Sequence, residues 1–264
     1  MGAGVSESIR GLPGEQIVSA SDNAAALLLA ARLADHLRRR LAVVSCAHLA
    51  LSGGSSATLL GAALAEIVPL SASEWSRIHV WMVDERCVGP DDPRLNANLI
   101  REAVIARIPL PAANLHPMPV VQPDGADRYE AELRAALAAR PPSDRRLDAV
   151  VLGMGPDGHT ASLFPGSAAL DERERLVTWN DGDRVTPPRP RMTMTYPLLG
   201  GAHLIALLVT GVSKQRALRQ ATQRPLDFHT LPVVGVVPAP DSRLLWFLDR
   251  DAASDDTSTT PVSG

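Results

Sequence analysis

The stretch that most limits what this chain can fold into is LDAVVLGMGPDGHTASLFPG, residues 147–166. An apolar run rich in β-branched residues, 147–152, empties into three glycines, and Asp157, His159, Thr160 and Ser162 follow at once. This reads as a buried strand delivering a polar, titratable loop. In α/β proteins ligands bind where strands end and loops begin, so chemistry is expected here first.

Gly153, Gly155 and Gly158 spell G-x-G-x-x-G, which marks a dinucleotide site when a full helix follows and an acidic residue ends the next strand. Here Pro156 sits inside the turn, and Phe164-Pro165-Gly166 breaks any helix after at most two turns. Residues 171–175 are a charged run, not a strand ending in one acid. The pattern therefore speaks against NAD. The other reading is a tight loop whose N–H groups face an anion or oxyanion, with His159 held above them.

Three further junctions repeat the pattern. Residues 46–51 form a strand that runs into Ser52-Gly53-Gly54-Ser55-Ser56 before a helix at 57–67. Free backbone donors and a positive helix end meet there, which is either a phosphate seat or an ordinary capped turn. It is not a Walker loop, because G-x-x-x-x-G-K-[ST] is absent. The strand at 78–83 exits into a loop starting Asp84-Glu85-Arg86. Asp84 could orient a substrate hydroxyl and Arg86 could fork onto phosphate, or the two could form a local ion pair. The strand at 204–209 ends in Thr210-Gly211-Val212-Ser213-Lys214, with a helix over 213–222.

Lys214 stands out by composition. Of 26 basic residues it is the one lysine, so it is either a chance survivor or a position arginine cannot fill. On the first turn of a helix it opposes the dipole, a poor place for a structural cation and a good one for holding an anion.

The remaining elements are a strand at 16–20, a helix from Ser21 or Asp22 to about Arg40, and a helix capped by Asn96 and reaching about Ile108. A brief strand at 115–119, a helix at 124–139 and short strands at 176–179 and 191–195 follow, then a last strand at 244–248 and a terminal helix at 249–253. Residues 180–190 form a proline-rich loop that resembles a lid, and 254–264 a disordered polar tail. No gap has the length of a domain linker, so residues 1–253 are expected to make one domain. The fold class is α/β: a doubly wound, mostly parallel, Rossmann-like sheet whose four polar strand ends share one edge.

A net charge of −3 argues against nucleic acid. Cys46 and Cys87 form no C-x-x-C, and no histidine pair has H-x-x-x-H spacing, so no disulfide framework and no metal are expected. No signal-peptide pattern and no uncharged apolar run of spanning length occurs, so the expectation is a cytoplasmic chain with no membrane partner. Short polar tails favour a monomer.

Taken together and in order, LSGGSS, DER, LGMGPDGHTASLFP, RMTMTYP, VTGVSK and LLWFLDRDAA resemble the 6-phosphogluconolactonase family, over about residues 16–253. The resemblance implies the doubly wound fold shared with glucosamine-6-phosphate deaminase, of the ribose-5-phosphate isomerase type. It also implies hydrolysis of 6-phospho-D-glucono-1,5-lactone without a cofactor. It makes His159 the acid/base with Asp157 beside it, and places Ser52, Gly53, Gly54, Asp84, Arg86, Gly155, Arg191 and Lys214 around the phosphosugar. The family usually has Ser where this chain has Leu95, and the loop at 179–189 is unusually charged and proline-rich. The nearest rival is the deaminase, which tends to have Asn at Asp157 and Gly-Phe-Asn-Glu where this chain has Ala161-Ser162-Leu163-Phe164-Pro165. A catalytically silent sugar-phosphate sensor is the rival of another class; it would need an output element, and the sequence leaves no room for one.

Overall fold

The longest apolar runs become central strands, and β2, β3, β6 and β9 give way at their carboxyl ends to polar or glycine-rich stretches. The structure, a computed structural model, describes residues 9–67, 69–181 and 190–254. In chain order the strands are β1 (Glu15–Ser19), β2 (Ala47–Leu51), β3 (Ile78–Met82), β4 (Asp84–Arg86), β5 (Leu115–His116), β6 (Ala149–Leu152), β7 (Val177–Asn180), β8 (Arg191–Met194), β9 (Leu204–Val209) and β10 (Arg243–Asp249). The α-helices are α1 (Asp22–Leu41), α2 (Ser55–Ile67), α3 (Ala72–Trp75), α4 (Asn96–Ala103), α5 (Gly125–Ala138), α6 (Tyr196–Gly201), α7 (Gln215–Gln220) and α8 (Arg250–Ala253).

Seven strands pair in the order β1-β10-β9-β6-β2-β3-β5, all parallel. From β2 the chain winds outward through β3 to β5, then returns to the other side of β2 and winds out through β6, β9 and β10. The switch point therefore lies between β2 and β6, where a crevice opens at the carboxyl ends of the strands. The four polar ends expected on one edge belong to four consecutive neighbours, β9, β6, β2 and β3.

α1 shows why local sequence gives local structure here. Ser21 caps it, its Oγ accepting from Ala24 N–H at 3.2 Å, and Arg38, Arg39 and Arg40 sit in the last turn against the negative helix end. Leu29, Leu33 and Leu37 are buried, each stabilising the fold by roughly 1.5–3 kcal/mol.

Several expectations are corrected. Asp84-Glu85-Arg86 is not loop but strand β4, antiparallel to β8, which pairs in turn with β7 in a second sheet. No local signal marks so short a strand, whose pairing comes from β8 far along the chain. The helix starting at Asn96 stops at Ala103, and a 3-10 turn at Ile105–Arg107 follows; β-branched Val104 and Ile105 are poor helix formers. Asn96 does not cap it. The N-cap position is Leu95, which makes no side-chain bond, and the buried Glu85 carboxylate accepts from Asn96 and Ala97 N–H instead, at 2.7 and 2.8 Å.

The strand at Leu115 stops after His116, because Pro117 and Pro119 have no N–H for a ladder. The helix expected from Ser213 begins as a 3-10 turn, Val212–Lys214, with α7 proper after it. The expected lid at 180–190 and tail at 254–264 fall mostly outside the described residues. Among those described, no helix is long and apolar enough to cross a membrane.

Candidate active site

No helix follows the glycine-rich loop after β6; it closes on itself. Gly155 N–H donates to His159 C=O at 2.8 Å, Gly158 N–H to Gly155 C=O at 3.0 Å, and Thr160 Oγ1 to Gly153 C=O at 2.8 Å. The His159 ring lies directly on Gly155: a Cβ there would stand 2.2 Å from both Cε1 and Nδ1. Only glycine allows that approach. Phe164 packs against the ring, with centroids 5.0 Å apart.

Asp157 Oδ1 lies 2.6 Å from His159 Nδ1 and also accepts His159 N–H at 3.2 Å. This carboxylate makes Nδ1 the protonated nitrogen and leaves a lone pair on Nε2. Burial pushes the Asp157 carboxyl up, but its hydrogen bonds to the His159 ring and backbone and its attraction to that ring together outweigh burial and hold it below the ordinary value. The imidazole side chain is 32% exposed, open enough to meet a substrate and water.

The four strand ends enclose a cavity of about 340 Å³, and nine of the ten expected site residues line it. Asp157 is the exception, standing beside His159 at the loop's apex. From β2, the Ser52-Gly53-Gly54 turn enters α2, with Ser56 Oγ donating to Gly53 C=O at 3.0 Å. From β4 and β8 come Arg86 and Arg191, which stand directly opposite each other in register. Arg86 Nη1 donates to Arg94 C=O at 2.5 Å, which fixes its course along the rim. Lys214 reaches the same cavity from the loop after β9. Burial lowers its pKa, only partly offset by the charge of Asp157. That loop is held by Asp249, which accepts Gly211 N–H at 3.0 Å and caps α8 through Ala252 N–H at 2.8 Å.

Asp84 is read above as a substrate ligand or as half of an ion pair with Arg86; no ion pair between the two occurs among the described residues. Its Oδ2 accepts from Ser162 Oγ at 2.6 Å, and Ser162 N–H donates to Thr193 Oγ1 at 3.2 Å. Asn180 Nδ2 donates to Ser162 C=O at 2.7 Å. The second sheet thus grips the glycine-rich loop from one side.

Sequence reasoning missed Ser162 as the strap between loop and sheet, Glu85 as the anchor of α4, and Asn96 as a pocket residue. Glu85 carried a signal, an acid between two other charges at a strand exit, but its burial was not legible. Ser52 Oγ and Asn96 Oδ1 are buried without a hydrogen-bond partner among the described residues. No group of three or more His, Cys, Asp or Glu there could hold a metal ion.

Comparison with known proteins agrees with this architecture. Residues 20–246 match the family described as glucosamine-6-phosphate isomerases/6-phosphogluconolactonase. A 6-phosphogluconolactonase of Nostoc sp. is 37% identical over 210 residues, covering 78% of this chain and 83% of the relative. One from Synechocystis sp. is 38% identical over 207 residues, covering 77% and 82%. The solved 6-phosphogluconolactonase of Trypanosoma cruzi superposes with a TM-score of 0.79 at 25% identity, covering 94% of this chain and 98% of that one.

Proposed function

The chain belongs to the glucosamine-6-phosphate isomerase/6-phosphogluconolactonase family, and from that premise we propose how it works. It is a lactone hydrolase of the oxidative pentose phosphate pathway, converting 6-phospho-D-glucono-1,5-lactone to 6-phosphogluconate. The observation that carries the reading at the level of residues is His159 seated on Gly155, with Asp157 on its Nδ1, facing a cavity that also holds Arg86, Arg191 and Lys214.

A δ-lactone is a strained ester, so an activated water suffices. His159 Nε2 takes a proton from that water as its oxygen bonds to C1. The resulting tetrahedral intermediate collapses by breaking the bond between C1 and the ring oxygen, and the same proton returns to that oxygen as it leaves. Asp157 stabilises the imidazolium between the two transfers. Gly155 and Gly158 N–H are spent on carbonyls inside the loop, so the developing oxyanion draws on other donors of the cavity wall. Arg86, Arg191 and Lys214 hold the phosphate, the Ser52-Gly53-Gly54 turn borders the sugar, and binding remote from the reacting bond keeps the carbonyl in place. Asp84, already aligned by Ser162, accepts from a sugar hydroxyl. The chain works as a cytoplasmic monomer with residues 1–253 as one domain; light scattering is expected to give the mass of a single chain, and twice that mass contradicts the reading.

The test of function is acid release from freshly generated lactone in a pH-stat, alongside ammonia release from glucosamine 6-phosphate. Lactone opening well above spontaneous decay, with no ammonia, is the expected result. A rate equal to background overturns the reading, and ammonia would assign the deaminase instead.

A further inference from the structure

One polar group in the cavity wall has no part in proton transfer or phosphate binding. Asn96, the first residue of α4, is 2% exposed. Its Nδ2 donates to Asp84 C=O at 2.9 Å and, at 3.4 Å, to the Asp84 carboxylate. These acceptors fix the amide's orientation, because a flipped amide would set its oxygen against a carbonyl oxygen. Oδ1 is thereby turned toward Gly53, only 2.0 Å from where a Cβ on that residue would stand. Among the described residues nothing donates to it. Buried polar atoms are seldom left so, and Asn96 lines the cavity.

We propose that Asn96 is a specificity-determining residue whose Oδ1 accepts a hydrogen bond from one hydroxyl group of the bound sugar phosphate. The proposal rests on the lactonase reading and extends it. The chemistry at this spot selects a hydroxyl over the phosphate. An amide oxygen offers lone pairs only, and the adjoining Asp84 carboxylate adds charge of the same sign, so a phosphate oxygen is repelled there. A hydroxyl donates. The Ser52-Gly53 end of the turn therefore faces the sugar, and phosphate lies toward Arg86, Arg191 and Lys214. Glycine at position 53 is what leaves room for the amide oxygen. A site built to bond a hydroxyl rejects an analogue lacking it far better than an apolar wall does, since the buried acceptor is then left unpaired.

The test is a cycle between protein and ligand. Dissociation constants of 6-phosphogluconate and its 2-, 3- and 4-deoxy analogues are measured by calorimetry for the wild type and Asn96→Ala. In the wild type one deoxy analogue is expected to bind about tenfold more weakly, the weight of a good hydrogen bond. In the variant that analogue binds as the parent does, to within about twofold, while the other analogues lose the same factor in both proteins. Equal losses in both proteins for every analogue overturn the proposal, as does a wild type in which no deoxy analogue loses affinity. Asn96→Ala also removes the donor to Asp84, so Asn96→Ser serves as the second variant. Its hydroxyl offers Asp84 a donor but no amide oxygen toward Gly53, and the same selective insensitivity is expected; retained discrimination in it contradicts the proposal. A wild type that neither binds 6-phosphogluconate nor opens the lactone defeats the lactonase reading and this inference together. Turnover with an additive cycle defeats the role of Asn96 alone.

Discussion

The two edges of the parallel sheet carry similar residues to opposite ends. At the amino edge, Asp148 is fully buried and takes Arg40 Nε at 2.6 Å, Arg140 Nη2 at 2.5 Å and His48 N–H at 2.6 Å. Asp144 beside it takes Arg40 Nη2 at 2.7 Å and lies 2.6 Å from His203 Nε2. His48 is 1% exposed, its Nδ1 accepting from Trp81 Nε1 at 3.1 Å, and burial drives its pKa down to about 3. Asp148 and Asp144 are each held by at least two donors, and neither lines the cavity at the other edge. At the carboxyl edge, His159 is part-exposed, three cations line one cavity, and Ser52 Oγ and Asn96 Oδ1 lack partners among the described residues. Residue type does not separate the two edges; what differs is that the charged cluster at one is closed on itself while the other lines a cavity.

The sharpest way to break the contrast is at Asp148. Asp148→Ala strands Arg40 and Arg140 and should cost about 3–5 kcal/mol. That corresponds to a fall in Tm of roughly 10 °C, seen by calorimetry, while kcat of the folded enzyme stays unchanged. A large loss of kcat at constant stability would erase the division between edges.

Gly155→Ala is the reverse case. The added methyl displaces the His159 ring, and kcat should fall about 100-fold, as expected when a catalytic group is misplaced, with Tm nearly unmoved.

Acid should act on the amino edge first. The pKa of His48 falls from 6.5 unfolded to about 3 folded. The unfolded chain therefore binds more protons in that window, and stability drops as pH falls through it, by up to about 1.4 kcal/mol per pH unit. Burial lowers His36, His79 and His203 in the same sense, whereas Glu85, raised by burial, works in the opposite direction. Chemical denaturation between pH 7 and pH 4 measures the slope, and His48→Gln should flatten it.

The smallest effect is expected at Lys214. Because burial lowers its pKa, KM should begin to rise on the alkaline side below the ordinary lysine value of 10.5. Lys214→Arg removes that limb and changes KM at neutral pH by only about threefold to tenfold.

How much of this was legible in the sequence follows the same line. Strands 149–152 and 204–209 could be read because an unbroken apolar run ending in a glycine-containing loop has few other uses, and His159 because its neighbours are all loop formers. β4 could not be read. Its three residues gain strand character only from β8, more than a hundred positions later, and its pairing alone brings Arg86 opposite Arg191. Asn96 looked like a helix cap because capping preferences are local, whereas Glu85 takes the capping role through burial that no local pattern reveals. Leu95 can hold the N-cap position without a side-chain bond for that reason.

The central claim is that His159 moves the proton in lactone opening. Its most direct test is the hydrolysis rate of His159→Ala against wild type, each corrected for the lactone's spontaneous decay. The account predicts a fall of at least ~100-fold in kcat, with Tm unchanged because the side chain is not part of the charged cluster at the amino edge. A variant that opens the lactone at the wild-type rate would contradict it.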